Sequence, residues 1–68
     1  MKTHKVTEGG KEYTVEVYPS GSNYWHFDGR LHREDGPAIE WANGDKEWYL
    51  HGEFLTELEF NSRKNKAV

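Results

Sequence analysis

Three histidines and three acids crowd the middle of this chain. His26, Asp28, His32, Glu34, Asp35 and His51 are residue types that ligate metals or move protons. Without cysteine, and at these spacings, they match no known ligand motif. An acid–base or nuclease role for His32, Glu34 and Asp35 has no nucleophile motif to accompany it. A phosphate loop of the Gly-x-x-x-x-Gly-Lys type is also absent. Adjacent polar residues on a turn are most simply a solvated turn. His32-Arg33 is expected to hydrogen-bond the turn at Asp35. The expectation is therefore no catalytic residue, no metal ligand and no cofactor.

The elements that must position these residues are short strands. Residues 2–6 and 12–18 flank Gly9-Gly10, a strong turn signal, and are read as a hairpin. Tyr13, Val15 and Val17 share one side of the second strand by alternation. Pro19-Ser20-Gly21-Ser22 ends it. Residues 23–27 form the next strand, with Trp25 and Phe27 on one face and Tyr24 and His26 on the other. Asp28-Gly29 turns the chain. Leu31-His32-Arg33-Glu34-Asp35-Gly36-Pro37-Ala38 is a polar connector, and Pro37 bars a helix through it. Residues 38–41 read as a strand that turns at Asn43-Gly44 into residues 46–50. Ile39, Trp41, Trp48 and Leu50 are expected inward, and Glu47 and Tyr49 outward. His51-Gly52 turns again.

A larger repeat underlies these strands. Tyr18, Gly21, Trp25, Phe27 and Gly29 recur 23 positions later as Trp41, Gly44, Trp48, Leu50 and Gly52. Strict alternation puts Tyr18 opposite Val17, whereas its counterpart Trp41 is expected inward. A bulge near Pro19 would reconcile the two.

The last segment changes character. Thr56 and Glu59 make a capping box, and Leu55 and Phe60 a hydrophobic staple around it. Acids open the segment and bases close it, as a helix dipole favours. A helix is expected over residues 56–66, docking Leu58 and Phe60 on the sheet. The competing strand would use Phe54, Thr56, Leu58 and Phe60 in alternation. The fold class is thus mainly β: a small antiparallel β-meander of hairpin repeats with a short C-terminal α-helix. One domain is expected, divided into an N-terminal hairpin (1–18), hairpin repeats (18–52) and the helix (56–66).

Composition bounds the partners. A chain of 68 residues buries only about 60% of its unfolded surface, so its stability is marginal. With no cysteine, Trp 3, Tyr 4 and Phe 3 must supply most of the core. A net charge of -3 argues against direct nucleic-acid binding. No apolar run approaches a membrane span, and the N-terminus lacks a signal-peptide pattern. A cytoplasmic protein is expected.

Trp25, Gly29, His32-Arg33, Asp35-Gly36-Pro37-Ala38, Asn43-Gly44 and Glu47-Trp48-Tyr49-Leu50 together resemble the variant MORN-type repeats of small bacteriophage and large DNA-virus proteins. The ending Leu55-Thr56-Glu57-Leu58-Glu59-Phe60 looks like the terminal cap of such proteins. The resemblance covers roughly residues 24–63. It implies a β-hairpin repeat fold, a scaffold or binding role and no catalytic residues. With one full repeat unit, self-association as a homodimer is expected to supply the missing neighbours.

The function expected is a non-enzymatic protein-binding module, phage-encoded and inhibiting a bacterial host defence protein, with anti-CRISPR activity as the specific form. The alternative is a MORN-like structural or lipid-associated scaffold, which the mean hydropathy of -1.07 and acidic balance disfavour. The candidate partner-binding residues are Tyr24, Tyr49 and His26 on the outward face. Arg30, His32 and Arg33, projecting from the connector, are the rival anchors. An acidic face imitating nucleic-acid phosphate is a lesser reading.

Overall fold

The computed structural model describes residues 2–66, with side chains described as far as residue 63. The chain runs β1 (Lys2–Glu8), β2 (Lys11–Val17), β3 (Asn23–Phe27), β4 (Arg30–Leu31), β5 (Ile39–Glu40), β6 (Lys46–Leu50), β7 (Glu53–Leu55) and α1 (Glu57–Lys66). All strand pairs are antiparallel. Their order is β1-β2-β3-β5-β6-β7, with β4 paired to the end of β3. This is an antiparallel β-meander closed by one short helix.

The turns show why the repeat exists. Tyr18 N–H donates to Ser22 O, and Gly21 N–H to Tyr18 O. Twenty-three residues later Trp41 N–H donates to Asp45 O, and Gly44 N–H to Trp41 O. The hairpin turns Asp28-Gly29 and His51-Gly52 also match, with φ of 54° and 79° in one and 54° and 82° in the other. Both central residues of such a two-residue turn need positive φ, which suits the right-handed twist of the strands. Asp28 and His51 tolerate this conformation better than a branched residue would.

Most of the core lies on one face; buried Ile39 and half-buried Tyr49 belong to the other by their strand pairing. Tyr13, Val15, Trp25 and Ala38 are buried together, and Val6, Val17, Phe27 and Tyr49 pack against them. Tyr13 meets the edge of Trp25 at 5.4 Å and tilts against Phe27 at 5.6 Å. A second buried pair, Leu55 and Phe60, anchors the helix, and Phe60 faces Trp48 at 6.4 Å.

The capping box is formed. Glu59 N–H donates to Thr56 Oγ1 at 3.1 Å, and Thr56 N–H to Glu59 Oε1 at 2.9 Å. Thr56→Ala is expected to cost about 1 kcal/mol. For a domain of this size that lowers Tm by roughly 4–8 °C, measurable by circular dichroism.

The structure corrects several expectations. Leu58 does not dock; it is 80% exposed, because the staple turns Phe60 rather than Leu58 toward the sheet. Trp41 is exposed, not inward. It lies past the end of β5, in the turn, where strand alternation no longer applies. Tyr18 and Trp41 therefore agree without a bulge: each flanks Tyr24, at 5.0 and 5.5 Å. Ile39 is buried, but its strand partners are Tyr24 and Glu47 rather than Trp25. Trp48 and Leu50 are only half-buried. Strands β4 and β7 have no counterpart in the sequence reading, and the strand expected over 38–41 shrinks to Ile39–Glu40.

Candidate functional site

The connector folds inward. Arg33 lays its guanidinium on the Trp25 ring, 3.7 Å from the centroid. Its Nε donates to Glu8 Oε1 at 3.0 Å and its Nη2 to Glu8 Oε2 at 2.9 Å. Nη1 donates to Pro37 O, and Glu40 lies 3.8 Å away. Gly36 makes room: a Cβ there would stand 3.2 Å from Arg33 Cζ and Nη1. His32 is 1% exposed. Its Nδ1 accepts from His51 N–H at 2.9 Å, so Nε2 carries the proton and donates to Glu34 Oε2 at 3.1 Å. The expected bond from His32-Arg33 to the Asp35 turn is replaced by these contacts.

The same connector stitches the strands. His32 N–H donates to Trp25 O, Arg33 N–H to Tyr49 O and Gly52 N–H to Leu31 O. Glu34 N–H donates to the Tyr13 hydroxyl at 3.4 Å. Partial burial pushes the Glu34 carboxyl up, but His32 Nε2–H and the Lys11 ammonium outweigh it, so its pKa is lowered. Its stabilisation is present above the ordinary carboxylate range and is lost as pH falls through the depressed value. Glu34 is half-exposed, so screening keeps the effect small.

Five of the six polar residues at the centre of the chain divide between two places, and Asp28 sits in the turn after β3. His32, Glu34, Asp35 and His51 line one shallow cleft with Leu50, Phe60 and Arg63. His26 lies elsewhere, with Nε2 2.9 Å from Glu16 Oε1. Among the described residues no three His, Asp or Glu side chains form a metal-holding group.

The opposite face of the sheet is open in that no other described element packs on it, although Ile39 within it is 3% exposed. The connector and the helix both pack on the Trp25 and Trp48 side. Directly paired residues point to the same face of an antiparallel ladder. Glu16 pairs with Tyr24, Tyr24 with Ile39 and Ile39 with Glu47, which makes one cross-strand row over β2, β3, β5 and β6. Tyr18 and Trp41 flank Tyr24 in this row. Tyr49 lies on the same face and meets the edge of Phe54, which is 56% exposed, at 5.6 Å.

Two acids are set among these rings. Glu47 accepts from Trp41 Nε1–H at 2.8 Å and from the Tyr49 hydroxyl at 2.9 Å. Glu16 accepts from the Tyr18 hydroxyl at 3.5 Å and pairs with His26. Desolvation first, and the neighbouring carboxylate second, raise the pKa of both Tyr18 and Tyr49. Tyr13 is raised too, by burial first.

A phenol whose folded pKa is raised keeps its proton longer in the folded state than in the unfolded chain. Its contribution is whole below about pH 10 and is lost as pH climbs through the folded values. Stability is therefore expected to fall above about pH 10. Phenolate absorbance should rise in step with unfolding, in a pH titration followed together with Tm.

Of the sequence-derived candidates, the structure brings Tyr24, Tyr49 and His26 onto the open face. Tyr24 and Tyr49 are both half-buried. Arg30 is exposed at β4, on the rim by the His51-Gly52 turn, its Cβ 3.8 Å from where a Gly52 Cβ would stand. His32 and Arg33 do not project; their side chains are 1% and 15% exposed. Sequence reasoning already set Glu16 and Glu47 on the outward face with Tyr24 and Tyr49, wrongly added Glu40, which pairs with Asn23 and Lys46 on the other side, and missed Tyr18 and Trp41. The repeat that equates Tyr18 with Trp41 was the signal that could have placed them together.

No protein-family model, no curated protein and no solved structure matches this chain.

Proposed function

We propose that this protein is a non-enzymatic protein-binding module that works through the open face of its sheet. The observation that carries this reading is the stripe of half-exposed and exposed rings built from Tyr18, Tyr24 and Trp41, rimmed by polar groups. Aromatic anchors with a polar rim are what protein-binding surfaces are enriched in. In its specific form the proposal is a phage-encoded inhibitor acting in the host cytoplasm on a bacterial defence protein such as a CRISPR effector. The resemblance of the Leu31–Ala38 connector and its flanking turns to viral MORN-type repeats supports that form. Self-pairing through the open edges at β1 and β7 is proposed beside it. Light scattering should then report a dimer at tens of micromolar, on the order of typical weak interfaces.

An affinity pull-down from bacterial lysate, followed by alanine variants, tests the main reading. One stoichiometric protein is expected to bind, and Tyr24→Ala or Trp41→Ala is expected to weaken it by more than about 1 kcal/mol. Neither change should lower Tm as far as loss of a core tryptophan. Liposome flotation of the free protein would instead favour the scaffold reading. Among the described residues no helix is long and apolar enough to cross a membrane.

A further inference from the structure

We infer that the open face takes an extended, arginine- or lysine-bearing segment of a partner protein, one cation seated at Glu16 and a second at Glu47. The inference rests on the binding-module reading and names the chemistry of its partner.

The protein itself shows what an aromatic ring beside a carboxylate selects. On the covered face, Trp25 and Glu8 hold the Arg33 guanidinium between them, flat on the ring and forked to the carboxylate. On the open face the same combination occurs without such a cation. Glu47 is held by two neutral donors, Trp41 Nε1–H and the Tyr49 hydroxyl, and forms no ion pair with Lys or Arg among the described residues. Among the described residues, the partners of the Glu16 carboxylate are His26 and the Tyr18 hydroxyl. The nearby Lys5 ammonium is turned to the Thr14 hydroxyl at 2.9 Å. Each carboxylate oxygen can accept a second hydrogen bond. A guanidinium arriving here meets a charge to neutralise and a ring to stack on, the two features that make arginine the preferred cation at interfaces.

The row fixes the spacing. Glu16, Tyr24, Ile39 and Glu47 lie on four adjacent strands in direct register. Three strand separations of about 4.8 Å put the two acids about 14 Å apart. An extended segment advances about 3.4 Å per residue, so its first and fifth side chains span the same distance. Basic residues at i and i+4 would meet the two acids while the residues between them cross Tyr24. The same carboxylates repel phosphate, which sets nucleic acid and anionic membrane aside as occupants.

The test is a random-peptide display selection on the full-length protein, with selected peptides then titrated by fluorescence polarisation. Peptides with two Arg or Lys four positions apart are expected to enrich. Their affinity should fall at least about tenfold on Glu16→Gln with Glu47→Gln, the scale of one lost charge-assisted hydrogen bond. These near-isosteric changes should leave Tm unchanged, which separates lost binding from lost folding. Enriched peptides that lack basic residues, tolerate both glutamines and are lost with Trp41→Ala would overturn the inference while leaving the open face as the docking surface. Enriched peptides indifferent to the glutamines and to Trp41→Ala and Tyr24→Ala, or no enrichment at all, would overturn both.

Discussion

Trp25→Ala is expected to leave most of the protein unfolded at room temperature. The indole is 8% exposed at the centre of the main core. It carries the edge contact to Tyr13 and the stacked Arg33. Truncating a buried aromatic to alanine costs about 3–5 kcal/mol. A chain of 68 residues has on the order of 3–10 kcal/mol to lose, at the usual stability per residue. Trp48→Ala, by contrast, removes a half-buried ring whose aromatic partner is Phe60. It should cost clearly less, although the sequence alone ranks the two tryptophans together. Trp25→Phe should fall between wild type and Trp25→Ala. It keeps an aromatic face and removes an indole Nε1–H that is buried without a hydrogen bond among the described residues. Urea denaturation orders the variants by midpoint, provided the slope is unchanged. A larger loss at Trp48 than at Trp25 would place the dominant core at the helix end and reverse this ranking.

Arg33→Ala is the second large effect expected, about 3 kcal/mol, near the lower end for breaking a buried ion pair. Arg33 and Glu8 are 15% and 23% exposed, so neither charge is well solvated. Removing the cation leaves Glu8, Pro37 O and the face of Trp25 without it, and unties β1 from the connector. Arg33→Lys should rescue little. A lysine cannot fork to both Glu8 oxygens or lie flat on the indole. Gly36→Ala should produce a weaker form of the same defect, since the guanidinium it crowds is held on three sides. A double-mutant cycle between Arg33→Ala and Glu8→Ala isolates the pair. Its coupling should exceed the roughly 1 kcal/mol ceiling of exposed pairs. An Arg33→Lys variant that melts like wild type would show that the planar fork is not what the site uses.

These two residues also mark how far local signals reach. Alternation alone assigns Trp25 to the core, because β3 is a regular strand between two clear turns. The same kind of reading places Arg33 on a projecting turn. Its partner Glu8 is 25 residues away, and no local pattern reports a contact that depends on how β1 folds back beside the connector. His32 likewise reads as part of a solvated turn. Its burial follows from the docking of the connector on Tyr13, with the two rings stacked at 6.3 Å.

What the sequence determined by itself is local. The turn glycines, the 23-residue repeat, the antiparallel meander and the capped helix all follow from backbone preferences within a few residues of each signal. The tertiary structure alone decided that Ile39 and Trp41 belong to the outward face, which alternation already assigns to Tyr24 and Tyr49. Pro37 forces an irregular entry into β5, and that strand is two residues long, so alternation could not be carried through it to Ile39 and Trp41. Pairing with Tyr24 and Glu47 set the direction of Ile39 instead. The connector and helix then covered the face of Trp25 and Trp48. Tyr18, Tyr24 and Trp41 were left together on the other side by that choice.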